Sequence, residues 1–260
     1  MSYVISFVGT KDGQGATSTA LAVAFDIAGQ GHSVLFVDAD MSGTSTAVDH
    51  VLIDPAHRGM NNLVGEGAIN SEMLLAQAVA SREERLQIVP GLHQIYGSNI
   101  SHLLRRLMTG QALGALAHDF VVFDLGCAWS HVLLQNPRLE AQAVSALSAR
   151  VFVVVQDAPV RLARSLDVLR AADPPKAELI VLDTRSGVMS RKVKEAIANQ
   201  LPGLSITATV PWDQRRAMKA EDEGRPISGI GEAVVRQAEI LQRAKVVLET
   251  ASRAVPQPAG

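Results

Sequence analysis

Gly9-Thr10-Lys11-Asp12-Gly13-Gln14-Gly15-Ala16-Thr17-Ser18 is the stretch of sequence that decides the fold. It follows residues 3–8, a short apolar run rich in β-branched side chains, which predicts a buried strand. It precedes residues 17–28, whose apolar side chains recur at helical spacing and stop before Gly29-Gln30-Gly31. A glycine-containing turn between a strand and the start of a helix has the outline of a phosphate-binding loop.

Simple chemistry explains why such a loop holds phosphate. A helix N-terminus presents unpaired N–H groups and the positive end of the helix dipole. Gly13 and Gly15 allow the backbone to approach phosphate oxygens closely, and the N–H groups of residues 13–17 can form the cradle without any side chain. Thr17 stands where a hydroxyl would ligate Mg²⁺. A tight strand-to-helix turn that holds no ligand is the alternative interpretation.

The loop departs from the pattern G-x-x-x-x-G-K-[ST] at two positions. Thr10 replaces the first glycine, and Ala16 replaces the lysine. That lysine is the cation which reaches the β- and γ-phosphates, so its loss predicts slow or absent hydrolysis.

Strand and helix signals alternate along the rest of the chain. Strands are predicted at residues 33–37, 86–89, 120–123, 151–155, 179–182 and 206–210, and helices at 101–116, 160–169, 191–200 and 227–251. Alternation of this kind indicates parallel pairing through right-handed crossovers, and continuous apolar strands indicate helices on both faces. We therefore expect one α/β domain over residues 1–252, a mostly parallel twisted sheet with helices on both faces, and a disordered tail at residues 253–260.

Composition narrows the range of functions. Of the 260 residues, 47% are hydrophobic and 19% are charged, which is enough for a sizeable core. The net charge of −2 provides no field for nonspecific binding to DNA or to a membrane surface. No apolar run approaches the ~20 residues that span a bilayer, and the N-terminus does not resemble a signal peptide. Cys127 is the single cysteine, so the chain has no internal disulfide framework, which fits a reducing compartment. We expect a cytoplasmic protein without direct membrane contact.

The loop resembles the deviant phosphate loop of the MinD/ParA superfamily, K-G-G-x-G-K-T-[TS], which here takes the form Lys11-Asp12-Gly13-Gln14-Gly15-Ala16-Thr17-Ser18. Other landmarks of that superfamily follow in order. A second strand with a D-x-D switch corresponds to Val34-Leu35-Phe36-Val37-Asp38-Ala39-Asp40, and a Walker B strand corresponds to Phe120-Val121-Val122-Phe123-Asp124-Leu125-Gly126. A P-x-D follows in Val210-Pro211-Trp212-Asp213, and a G-x-P in Gly224-Arg225-Pro226. The resemblance covers nearly the whole chain and implies a P-loop NTPase fold.

The resemblance also implies roles for individual residues. In the superfamily the early lysine reaches across a dimer to the partner's phosphates, which is the role implied for Lys11, and the second aspartate of D-x-D positions the attacking water, which is the role implied for Asp40. The implied cofactors are ATP and Mg²⁺. Contacts to the nucleotide are implied for Gly13, Gln14, Gly15, Ala16, Thr17, Ser18, Asp183, Pro211 and Asp213, and contacts to the metal for Thr17, Asp38 and Asp124. Helix capping or turn formation by the aspartates, and a solvated surface position for Lys11, are the alternatives.

Three departures from the superfamily bear on function: Ala16 lacks the charge of lysine, Asp12 is a carboxylate where glycine is usual, and Asp183 stands where an asparagine tends to read adenine. A carboxylate accepts hydrogen bonds but donates none, so recognition of the base is in question.

The degenerate loop and the "DLG" at residues 124–126 most resemble the CpaE/TadZ branch, whose members position pilus or secretion machinery. The N-terminal receiver-like domain found in many of them is not expected here. The leading hypothesis is a nucleotide-dependent homodimeric switch or scaffold that positions a cellular machine, either a pilus or secretion apparatus or a division site. An active ATPase that uses Lys11 in a dimer, a nucleotide-free interaction protein, and DNA partitioning in the ParA manner remain alternatives.

Overall fold

The computed structural model describes residues 2–40, 47–92, 103, 106–107, 109–127, 144–174, 176–184, 191–227 and 229–253. Within these ranges the strands are β1 Tyr3–Gly9, β2 Val34–Asp38, β3 Val79–Ala80, β4 Leu86–Val89, β5 Phe120–Asp124, β6 Arg150–Gln156, β7 Ala177–Asp183 and β8 Ser205–Pro211. The helices are α1 Ala16–Gly29, α2 Ala47–His50, α3 Ser71–Ala76, α4 Gly110–Leu113, α5 Pro159–Ala172, α6 Arg191–Gln200, α7 Gln214–Asp222, α8 Ile230–Gln237 and α9 Ile240–Arg253, with a 3₁₀ helix at Met60–Leu63.

The described strands form one sheet in the order β3-β4-β2-β5-β1-β6-β7-β8. Its pairings are parallel, apart from the short antiparallel pairing of β3 with β4. The predicted α/β fold with a mostly parallel sheet is therefore confirmed.

Both faces of the sheet are covered. Alternate residues of β1 enter two different buried apolar clusters, with Val4 and Val8 in one and Ile5 and Phe7 in the other. Helix α5 belongs to the first cluster and α1 to the second. This arrangement explains the continuous apolar strands, because every residue of β1 is buried whichever face it points to.

The sheet places β1 between β5 and β6. The chain leaves β1 for β2 on one side and later adds β6 on the other, so the strand order reverses at β1. In open α/β sheets a crevice opens outside the carboxyl ends of the strands at such a reversal, and ligands bind there. The loop that follows β1 lies at this crevice.

The C-terminal segment differs from prediction. The expected single helix over residues 227–251 is wrong, because α8 ends before Ala238 and α9 starts at Ile240. Glu239 between them has a left-handed backbone, with φ of 51°, which interrupts the helical hydrogen bonds. At Gly231 a Cβ atom would lie 2.0 Å from the carbonyl oxygen of Ala22, so α8 packs directly on the backbone of α1.

Other differences concern the ends of elements. The predicted helix at residues 101–116 ends at Leu113 in the structure, and most of residues 101–108 lies outside the described residues. The predicted tail at residues 253–260 also lies outside the described residues, apart from Arg253. The sequence patterns did not predict β3 or α7. No helix among the described residues is long and apolar enough to cross a membrane.

A buried ion pair that the sequence did not reveal ties β6 to β7. The guanidinium of Arg150, whose side chain is 3% exposed, bonds the carboxylate of Glu178. It also donates to the carbonyl oxygen of Ala238 and lies 4.6 Å from the centre of the Phe152 ring. The hydroxyl of Thr207 on β8 donates to Glu178 at 2.6 Å. The pair thus links three strands and the break between α8 and α9.

Candidate functional site

The loop from Gly9 to Ser18 is open and lines a cavity. Gly13 and Gly15 have left-handed backbones, with φ of 71° and 87°, which explains the need for glycine. Gly15 is the N-cap of α1 and has no side chain with which to cap the first turn of that helix. No side chain in the described part of the chain is seen to accept from the N–H groups of that turn, which is the condition for an anion to bind there.

The cavity has a volume of about 470 Å³. Its wall contains residues 11–18 together with Asp40, His50, Gly126, Cys127 and Trp212. The predicted loop residues thus share one wall, and Asp40 joins them from the end of β2. His50 and Trp212 were not singled out as site residues from the sequence. His50 gave no sequence signal, whereas Trp212 lies inside the quoted P-x-D segment.

Buried polar side chains hold the loop in shape from behind. The hydroxyl of Thr10 lies 3.0 Å from Oε1 of Gln14 and 2.7 Å from Oγ of Ser165 on α5. Nε2 of Gln14 donates to the same Ser165 oxygen at 2.7 Å. Gln156, at the end of β6, donates to the carbonyl oxygen of Gly13 at 3.0 Å and accepts from Arg161. The loop conformation therefore depends on contacts with β6 and α5.

Two buried carboxylates stand side by side below the loop. Asp38 and Asp124 are register partners at the ends of β2 and β5, 1% and 0% exposed. Oδ1 of Asp124 accepts from the backbone N–H of Gly126 at 3.0 Å, and the hydroxyl of Thr17 donates to the same carboxylate. Oδ2 of Asp124 is buried and has no hydrogen-bond partner among the residues that the structure describes. Burial, and next the neighbouring charge of Asp38, raise the pKa of Asp124 well above its ordinary value.

These groups fit a divalent cation. A buried carboxylate oxygen without a partner, beside a second carboxylate and a threonine hydroxyl, is a donor set that Mg²⁺ accepts. The described residues contain no cluster of three or more His, Cys, Asp or Glu side chains arranged as metal ligands. Mg²⁺ in nucleotide sites is usually held by one or two carboxylates together with phosphate and water, and this donor set has that composition.

Asp40 reaches the cavity through a tight contact with Gly126. A Cβ atom on Gly126 would lie 2.0 Å from Cγ of Asp40, and the glycine has φ of 52°. The N–H of Asp40 donates to Oδ1 of Asp38 at 3.2 Å. The glycine that follows β5 is thus needed both for its backbone conformation and for the room it leaves to Asp40.

Lys11 and Asp12 are exposed on the cavity wall. The thiol of Cys127 donates a hydrogen bond to the carboxylate of Asp12, so the loop is tied to the segment after β5. Burial, followed by this hydrogen bond and the charge of Asp12, raises the pKa of Cys127, which keeps the thiol protonated. Ala16, 7% exposed, contributes no charge to the wall.

The structure does not bring Asp183, Pro211 or Asp213 to the cavity wall. Asp183 and Pro211 are register partners at the ends of β7 and β8, and Asp183 is 2% exposed. Asp213 accepts from the N–H of Arg215 at 2.9 Å, at the start of α7. Asp213 therefore caps the first turn of α7 in this structure.

A second cavity of about 160 Å³ adjoins the first, and the two share Ser18, His50 and Trp212. Its remaining wall comes from α1, α7 and the G-x-P segment, namely Leu21, Ala217, Ala220, Arg225, Pro226 and Ile227. The landmark Gly224-Arg225-Pro226 thus contributes to a surface beside the loop.

The fold is shared with solved structures from several organisms. MinD complexed with Mg-ADP from Pyrococcus horikoshii OT3 is 19% identical, with a TM-score of 0.66 over 95% of this chain and 98% of that chain. A ParA family ATPase from Chlorobium tepidum TLS is 18% identical, with a TM-score of 0.67 over 92% of this chain and 99% of that chain. The MinC:MinD cell division complex of Aquifex aeolicus is 16% identical, with a TM-score of 0.67 over 99% of each chain.

A search of curated proteins finds no match. The model of one protein family, the CobQ/CobB/MinD/ParA nucleotide binding domain, matches residues 5–227. This match spans the loop, both aspartate-bearing strands and the two late landmarks. The chain belongs to the CobQ/CobB/MinD/ParA nucleotide-binding domain family.

Proposed function

We propose that the protein is a nucleotide-dependent switch that binds ATP with Mg²⁺ at the loop and hydrolyses it slowly or not at all. The observation that carries the proposal is the open loop itself. Its left-handed glycines, uncapped helix N-terminus and cavity of about 470 Å³ are present although Ala16 has replaced the lysine. Backbone N–H groups hold phosphate without a lysine, so binding and hydrolysis are separable here.

The proposed roles follow from position. The N–H groups of residues 13–17 hold the phosphates, and Thr17 with Asp124 and Asp38 holds Mg²⁺. When bound, the metal neutralises charge on the phosphates. Asp40, which shares the cavity wall with the loop, orients water for attack on the terminal phosphate. Losing one charged or hydrogen-bonding group from such a site typically slows catalysis roughly 10²–10³-fold, which is why we expect little turnover from a chain with Ala16.

The switch acts through a homodimer and a protein partner in this proposal. Lys11 is exposed on the cavity wall, where a second copy of the chain can receive it. The Aquifex aeolicus MinD was solved with the partner protein MinC, which supports a protein partner here. The resemblance to the CpaE/TadZ branch suggests a partner in a pilus or secretion machine, in the cytoplasm. A dimer that forms only with ATP·Mg²⁺, seen by analytical ultracentrifugation, would support the switch.

Calorimetric titration of ATP·Mg²⁺ tests the binding proposal in wild type and in Ala16→Lys. We expect saturable, Mg²⁺-dependent binding to wild type in the micromolar range, and binding at least about tenfold tighter in the variant, or about 1.4 kcal/mol. Binding by the variant alone would mean that the site persists but is disabled, which favours a scaffold. If neither protein binds at millimolar ATP, the nucleotide proposal is wrong.

An active ATPase is the second candidate, favoured by the joint presence of Lys11 and Asp40 on the cavity wall. It requires turnover above background that is lost in both Asp40→Ala and Lys11→Ala. Because Lys11 would act on the partner's phosphates, an equimolar mixture of these two variants should recover part of the activity. If both single variants are inactive and their mixture recovers no ATPase activity, Lys11 does not act on the phosphates of a partner subunit.

A further inference from the structure

The second cavity has the chemistry of a site for a flat, aromatic ring. Two rings, those of Trp212 and His50, belong to its wall, with Leu21 and Pro226 among the other lining residues. It adjoins the loop cavity through Ser18, His50 and Trp212. A ligand whose phosphates lie at the loop can therefore extend its ring system into this space.

The alternative position for a base, at Asp183, is closed by Trp212. A Cβ atom on Gly15 would lie 2.7 Å from Leu182 Cδ1 and 3.4 Å from Trp212 Cζ3, so these two side chains pack against the loop. The N–H of Trp212 donates to the carbonyl oxygen of Asp183 at 2.8 Å. Because Asp183 is only 2% exposed, a ligand in the loop cavity does not reach its carboxylate.

We propose that the second cavity is the base subsite of the nucleotide and that Trp212 is its stacking residue. This inference rests on the proposed function. Stacking tolerates any base, because every base has an aromatic face. No Asn or Gln is among the described residues of this wall, and Arg225 only donates, with its guanidinium paired with Glu223 at 2.9 Å. The site therefore accepts adenine and guanine nucleotides with similar affinity, unlike a site that reads adenine with an asparagine amide.

Three probes separate the base from the phosphates: Mg²⁺ with pyrophosphate, with ADP and with GDP, each titrated by calorimetry into the full chain. We expect ADP and GDP to bind wild type within about tenfold of each other and both more tightly than pyrophosphate. Trp212→Ala should weaken both nucleotides about tenfold or more, as loss of a base–aromatic stack does, and leave pyrophosphate unchanged. Trp212→Phe should recover most of the loss.

Matched variants distinguish the outcomes. Met218→Ala, on the same segment but exposed and outside the cavity wall, should change nothing. Asp183→Asn should not increase the preference for ADP over GDP. An increase would show that residue 183 contacts the base and would overturn the inference. Equal weakening of pyrophosphate and nucleotides in Trp212→Ala, with Trp212→Phe failing to recover it, would show that Trp212 only supports the loop.

The same titrations separate this inference from the proposed function. If pyrophosphate binds wild type and ADP and GDP bind no tighter, the loop holds phosphate as proposed and the base subsite is wrong. If none of the three probes binds, both proposals are wrong. Binding of ADP more than about a hundredfold tighter than GDP would contradict stacking as the means of recognition, because stacking is tolerant of sequence.

Discussion

Asp38 and Asp124 stand directly opposite each other at the carboxyl ends of the neighbouring parallel strands β2 and β5. Both are buried. The loop threonine, Thr17, donates its hydroxyl to Asp124. The relationship places two carboxylates side by side, and their mutual repulsion helps to raise the pKa of Asp124. The partners described for Asp124 are the N–H of Gly126 and the hydroxyl of Thr17, and neither is a cation. A bound divalent cation would relieve this repulsion, so ligand binding and stability should be coupled at this point.

Asp124→Asn should stabilise the nucleotide-free protein and abolish Mg²⁺-dependent binding. The amide keeps an oxygen for the N–H of Gly126 and removes a buried charge, so we expect a gain of roughly 1–3 kcal/mol in unfolding free energy at neutral pH. The sign follows from the pKa of Asp124, which burial raises in the folded state. The stability associated with its protonated form is present in acid and is lost as the pH rises through that pKa.

Urea denaturation at several pH values checks this prediction. The advantage of Asp124→Asn should shrink as the pH falls below the raised pKa, because the wild-type carboxyl is then neutral as well. Asp167→Asn, an exposed aspartate on α5, is the control and should change stability little. A variant less stable than wild type at neutral pH would mean that the charge of Asp124 is compensated in the folded protein.

Gly126→Ala should displace Asp40 and destabilise the protein. The added Cβ would lie 2.0 Å from Cγ of Asp40, and φ is 52°. Gly31→Ala is the matched control, because Gly31 also has a positive φ, 94°, but has nothing within 4 Å of a Cβ position. Left-handed backbone alone costs roughly 1–2 kcal/mol in an alanine. The loss of stability in Gly126→Ala should exceed that cost, and the variant should also bind ATP·Mg²⁺ more weakly, whereas Gly31→Ala should leave binding intact. Equal losses of stability would show that Asp40 moves aside freely.

Ser165→Ala should loosen the loop from behind. The change removes the shared partner of Thr10 and Gln14, which are both buried. Thr10 keeps its contact with Oε1 of Gln14, but Nε2 of Gln14 loses the acceptor described for it, and an unpaired buried donor costs roughly 1–3 kcal/mol. We expect reduced thermal stability and weaker pyrophosphate binding, with faster amide exchange in residues 10–16 seen by mass spectrometry. Ser205→Ala, at the exposed start of β8, is the control. Unchanged exchange in Ser165→Ala would mean that the contacts with Gln156 suffice to hold the loop.

Glu178→Gln should destabilise the sheet at neutral pH by about 3 kcal/mol or more, because it leaves the buried guanidinium of Arg150 without a counter-charge. Burial acts to raise the pKa of Glu178, but hydrogen bonds from Arg150 and Thr207 and the charge of Arg150 lower it below the ordinary value. A lowered pKa contributes stability above the unfolded glutamate's pKa of about 4.3 and loses it as the pH falls through the folded value. Denaturation curves of wild type and variant should therefore converge in acid. A constant difference down to about pH 2 would contradict the linkage.

Local sequence predicted most of the strands and the loop because these depend on side-chain periodicity and on glycine. Parallel strands covered on both faces require continuous apolar residues, and such runs are visible without any structure. The order of landmarks from Lys11 to Pro226 was enough to predict the family, and the family match confirms it. The assignment to the CpaE/TadZ branch stays a proposal.

The tertiary structure decided what no local pattern contains. The break at Glu239 and the pairing of Arg150 with Glu178 depend on how distant elements meet, and neither has a periodic signal. The bracing of the loop by Ser165 joins residues 151 and 155 positions apart in sequence.

The sequence by itself determined the class of fold, the glycine loop after β1 and the aspartates at the strand ends, because backbone geometry and burial follow local composition. The tertiary structure decided that Trp212 and His50 join the cavity wall while Asp183 does not. Side-chain positions of this kind depend on steric contacts between elements far apart in sequence. The composition of the cavity wall therefore follows from the tertiary structure and not from local sequence.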